Sequence, residues 1–102
     1  MFMSFDKNTV FKISDSIAYS KDKFKDQYNI ISLEDESLED KVLVVKGTSF
    51  YIWEELIQEK VYEDILSSLA DKFEPFGDVE KNQVNDFLNE ILKKGLITCQ
   101  KD

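Results

Sequence analysis

Lys41-Val42-Leu43-Val44-Val45-Lys46-Gly47-Thr48-Ser49-Phe50-Tyr51-Ile52-Trp53-Glu54-Glu55-Leu56 is where the chain changes period. Its first half is apolar and rich in β-branched side chains, which suit a strand. After Gly47 the apolar residues Phe50, Trp53, Leu56 and Ile57 recur at helical spacing. This predicts a strand that passes through a short turn into a helix over residues 50–58, with Thr48 or Ser49 as N-cap. The run Val42 to Val45 does not alternate, so both faces of that strand need cover. One face can pack on the helices. The other belongs either to an ordinarily buried strand or to an edge strand whose cover arrives with a partner.

Upstream, residues 10–13 alternate weakly, and residues 17–20 offer a first short strand. A polar connection over 21–26 leads to a better strand from Tyr28 to Leu33. Five acids in the seven residues 34–40 form a solvated loop without the Asp-x-Asp-x-Asp-Gly spacing of a calcium loop. Downstream, Ile65, Leu66, Leu69 and Phe73 form the inward stripe of a second helix over 62–73, which Glu74-Pro75-Phe76-Gly77 ends. Asp78 caps a third helix that runs to Lys94 and stops at Gly95. Leu96 and Ile97 return to the core. The expected architecture is α+β and winged helix-turn-helix-like: a three-stranded antiparallel sheet followed by three α-helices. Residues 17–97 form the domain, with an N-terminal extension over 1–16 and a tail over 98–102.

At 102 residues, with 42% hydrophobic content, the chain can bury one core but not a deep catalytic cleft as well. It lacks the apolar run of a membrane span and an opening signal peptide, and its single cysteine, Cys99, precludes an internal disulfide. The expected compartment is the cytoplasm. Twenty-one acidic against 13 basic residues give a net charge of −8, which repels the phosphate backbone of a nucleic acid and favours a basic or neutral partner. Lys93-Lys94, the adjacent basic pair, reads as compensation of a helix C-terminus.

Catalytic chemistry has little to work with. There is no histidine for acid–base or metal duty, Cys99 has no partner, and three glycines without Gly-x-x-x-x-Gly-Lys make no phosphate loop. No enzyme activity, cofactor or metal is expected. On the third helix, Val84, Phe87 and Ile91 form one stripe that should face the core, flanked by Lys81, Asn85, Leu88 and Leu92.

The segment Val45-Lys46-Gly47-Thr48-Ser49-Phe50-Tyr51-Ile52-Trp53-Glu54-Glu55-Leu56, the closing Phe73, Phe87-Leu88 and the final Gly95-Leu96 together resemble the PqqD family. Its members are the peptide-binding domains also called RiPP recognition elements. The resemblance covers about residues 17–97. The sequence departs from the family pattern at Lys46, where an Asn is usual, at Gln83, where an acid is common, and in lacking a glycine after the first helix. The resemblance implies a leader-peptide-binding module that takes the leader of a ribosomally made precursor as an extra strand. It would present that precursor to a modifying enzyme, often a radical SAM protein.

The peptide-binding residues expected on this reading are Val42, Leu43, Val44, Val45 and Lys46 on the strand, with Lys81, Asn85, Leu88 and Leu92 on the third helix. An exposed edge strand offers unpaired backbone groups that a peptide can pair. Two alternatives stand beside it: a winged-helix DNA-binding regulator using the amides of the third helix, and a strand-paired scaffold that forms a homodimer through the same edge.

Overall fold

The apolar periods place most elements close to where they form. In the computed structural model, which describes residues 5–32 and 42–100, the order is β1 (Val10–Ile13), β2 (Ile17–Lys21), β3 (Gln27–Ser32), β4 (Val42–Lys46), α1 (Thr48–Ile57), α2 (Tyr62–Lys72), α3 (Asp78–Lys93) and β5 (Ile97–Gln100). The acidic loop expected over 34–40, and the expected strand end at Leu33, lie outside the described residues. Strands β2, β3 and β4 form an antiparallel sheet in that order, and three helices follow it.

The sheet is two-faced, as pleating requires. Ile17, Tyr28, Ile30 and Val45 turn inward and are buried. Helix α1 packs its aromatic stripe beneath them. Phe50 stacks on Tyr28 at 5.2 Å between ring centroids, and the fully buried Trp53 meets Tyr19 edge-on at 5.6 Å. A polar rim closes this layer: Glu54 accepts from the Tyr28 hydroxyl at 3.4 Å and pairs with Lys21 at 3.5 Å, while Lys21 also sits over the Phe50 ring. On the other side of α1, the buried Glu55 carboxylate holds Lys60 at 2.5 Å and Lys72 at 3.4 Å. It thereby ties α1 to the start and end of α2.

Helix ends differ from the sequence reading in an instructive way. Helix α1 begins at Thr48 and is preceded by Gly47 at φ 66°, with no side-chain cap. The left-handed glycine reverses the chain before either hydroxyl residue can occupy the cap position. Asp78 is the first helical residue of α3 rather than its cap, and the Glu80 carboxylate accepts from the Gly77 amide at 2.8 Å instead. At the other end, Leu96 N–H bonds Ile91 C=O at 2.9 Å and Gly95 N–H bonds Leu92 C=O at 3.0 Å. With Gly95 at φ 75°, this is a Schellman closure.

The two ends of the chain pair with each other. Strand β1 runs antiparallel to β5, with Phe11 opposite Cys99 and Ile13 opposite Ile97. Phe11 is fully buried and packs edge-on against Phe5. The N-terminal segment also completes α2: Thr9 C=O accepts from Tyr62 N–H at 2.9 Å, and Lys7 C=O accepts from Glu63 N–H at 3.1 Å. Those amides belong to the first turn, where no side chain caps the helix.

Truncating Phe11 to Ala should therefore lower the unfolding free energy by about 3–5 kcal/mol, measured by urea denaturation. An effect below about 1 kcal/mol would mean that β1 contributes little to the core. Tyrosine titration offers a second check. Burial, reinforced by the Glu54 charge and hydrogen bond, raises Tyr28 above its ordinary 10.0. Burial also raises Tyr62, partly offset by its hydrogen bond to Asn85. Above pH 10 the unfolded chain loses these protons first, so stability should fall as pH climbs. Tyr62→Phe should make that fall shallower in alkaline denaturation curves.

Candidate peptide-binding edge

Strand β4 lies at the edge of its sheet, paired on one side by β3. The direction of its backbone groups follows from hydrogen-bond alternation. Asp22 N–H bonds Gln27 C=O at 2.9 Å, which makes 22 and 27 a hydrogen-bonded pair. Continuing the register, Asn29 and Ile31 bond toward β2, and the intervening Tyr28 and Ile30 bond toward their partners Val45 and Leu43 on β4. The N–H and C=O groups of Val42, Val44 and Lys46 are thus the ones that point away from the sheet, at an edge that no strand among the described residues pairs.

Side chains alternate in the same rhythm. Val42 and Val44 are each 44% exposed and Lys46 is exposed, whereas Val45 is buried and Leu43 half-buried against the core. The absence of alternation in Val42 to Val45 is therefore not two-sided burial. The strand has one covered face and one apolar face left open, and the open face continues onto Ile31, which pairs with Val42 and is 45% exposed.

A cleft of about 370 Å³ opens beside the end of this strand. Thr48 lines it from the first turn of α1, Phe73, Pro75 and Phe76 from the α2–α3 connection, and Glu80 and Gln83 from α3. Its lining mixes aromatic and polar groups.

The four residues expected on α3 divide differently. Leu88 is fully buried with Val84 and Ile91, so it belongs to the core stripe, and Phe87 is only partly buried at its margin. Asn85 accepts a hydrogen bond from the Tyr62 hydroxyl, which turns that flank of α3 toward α2. Leu92 packs against the core from the same flank, and Lys81 is exposed. The side of α3 that reaches the β4–α1 junction is the opposite one, carrying Glu80 and Gln83. A helical wheel offers two flanks about equally removed from the core stripe, and only the packing of α3 against α1 and β5 selects between them. Phe73 and Phe76 were legible as aromatics around a proline, but nothing local assigns them to a cleft.

No curated protein matches this sequence. Among solved structures, TbiB1 in complex with the TbiA(beta) leader peptide is similar in fold, with a TM-score of 0.72 and 20% identity. The match covers 89% of this chain and 99% of that one. The family model for coenzyme PQQ synthesis protein D (PqqD) matches residues 30–97, which run from the middle of β3 through all three helices to the first residue of β5. A match over that much of the sheet and helices shows that this chain belongs to the PqqD family.

Proposed function

We propose that this chain is a non-catalytic recognition module that binds the leader of a ribosomally made precursor peptide and presents it to a separate modifying enzyme. The observation that carries this reading is the free edge of β4, where Val42, Val44 and Lys46 direct their backbone donors and acceptors outward. A peptide in extended conformation pairs with such an edge, gaining affinity from main-chain hydrogen bonds and selectivity from side-chain sites nearby. The cleft at the end of β4 supplies one such site. Family membership and the leader complex of the similar TbiB1 support the same reading.

The modifying partner on this reading is a radical SAM enzyme, as the family resemblance suggests, and the module works in the cytoplasm. Among the described residues, no helix is long and apolar enough to cross a membrane. The DNA-binding alternative gains nothing from α3, whose exposed positions include Asp86 and Glu90 beside the amides of Asn82 and Gln83. With a net charge of −8, phosphate contact is unfavourable. Without peptide, the same edge would allow two copies to pair, and sedimentation at rising concentration measures that.

The test is an amide-resolved NMR titration with leaders of the precursor peptides encoded beside this chain's gene. Shifts should concentrate on residues 42–46 and on the cleft, with an affinity on the order of 1 µM. Val44→Pro removes an outward N–H without breaking a bond to β3, so the fold should survive. Binding should weaken about tenfold or more, since the lost hydrogen bond and the altered backbone act together. A folded Val44→Pro protein that binds leader at full strength would rule out strand addition at β4.

A further inference from the structure

We infer that the open face of the sheet selects the bound peptide by cross-strand pairing, Lys46 favouring an acidic residue and Val44 and Val42 favouring β-branched or aromatic residues. This rests on the strand-addition reading above and extends it to the peptide's chemistry. In an antiparallel sheet, residues directly opposite each other project from the same face, with Cβ atoms about 4.5–5.5 Å apart. A peptide strand beside β4 must therefore place alternate side chains next to Val42, Val44 and Lys46 on the outer face, whatever its other side chains do beneath.

The neighbours already present define what suits each position. Ala18, Ile31 and Val42 are aligned across the three strands, all exposed, forming an apolar row that ends at the free edge. A fourth apolar side chain would extend that row and cover part of it. The next row runs Ser20, Asn29 and Val44, and the last pairs Gln27 with Lys46. Gln27 Nε2 donates to Asn29 Oδ1 at 3.2 Å, and no ion pair to Lys46 is formed among the described residues. An incoming carboxylate meets an available ammonium there. Opposite charges and paired β-branched residues are the favourable cross-strand combinations, and like charges the unfavourable one.

Both pairings in the existing sheet are antiparallel, and a peptide continuing that arrangement runs opposite to β4. Read from its N-terminus, the selected pattern is acidic–x–apolar–x–apolar, the last position facing Val42. The position facing Val42 carries the strongest apolar demand, because Ile31 stands directly behind it.

A displayed library of random linear peptides, selected on the wild-type protein and separately on Lys46→Glu, tests this. Peptides that require the β4 edge are recognised by their loss of binding to Val44→Pro. Among them, the wild type should enrich the acidic–x–apolar–x–apolar pattern. Lys46→Glu should replace the acidic residue by Lys or Arg, with matched synthetic peptides switching preference by roughly fivefold. Edge-dependent peptides without the pattern, or with a first position indifferent to Lys46→Glu, would overturn the selectivity while leaving strand addition intact. If no peptide is enriched, the inference and the reading beneath it both fail.

Discussion

The chain has to leave the sheet immediately after β4, and Gly47 is how it does so. At φ 66° its backbone lies in a region that is costly for residues with a Cβ. From there α1 starts at the next residue and runs beneath the sheet, bringing Phe50 to Tyr28 and Trp53 to Tyr19. The same turn takes the chain out of the sheet directly after β4, into α1. The turn delivers the α1 stripe to the inner face, while the strand order β2-β3-β4 leaves β4 at the edge of its sheet. An edge of this kind is normally a hazard, because it templates pairing with other chains. On the proposed function, the hazard and the recognition site coincide.

Around that junction the stabilising contacts come from distant parts of the sequence. Glu55 is a buried carboxylate, tolerable because two lysines approach it, one of which also donates to Ser68 at 3.0 Å. The N-terminal segment satisfies the first amides of α2 with its own carbonyls and inserts Phe11 under β5. Residues 7–13 thus act as a brace, pairing with β5 and closing the first turn of α2. On β4 itself, Val45 belongs to the core and the outward side chains Val42, Val44 and Lys46 do not. Val42, Val44 and Lys46 are exposed, so changes at those side chains disturb the core little.

What the sequence by itself determined was the succession of the three-stranded sheet and three helices, and most of the core's composition. Periodicity shows these directly: Trp53, Leu56, Ile65, Leu69, Val84 and Ile91 are apolar at helical spacing, and each is buried. Gly95 and the break at Glu74 to Gly77 are equally local signals, since they depend on backbone preferences of single residues. The β4 run was also visible, and so was its promise of an edge.

Only the tertiary structure decided which side of each element does what. The direction of the backbone groups of β4 is set by its register with β3, a pairing between residues 11 to 19 positions apart. The flank of α3 that meets the cleft is set by how the helix rests on α1 and β5: Glu80 and Gln83 line it, while Leu88 is buried and Asn85 bonds Tyr62. The strand at residues 10–13 needed β5 to exist, because a weakly alternating tetrapeptide has no reason to be extended until another strand pairs with it. Local propensity acts over a few residues, whereas facing and register are relations between segments far apart in the chain, and they are fixed only when those segments pack.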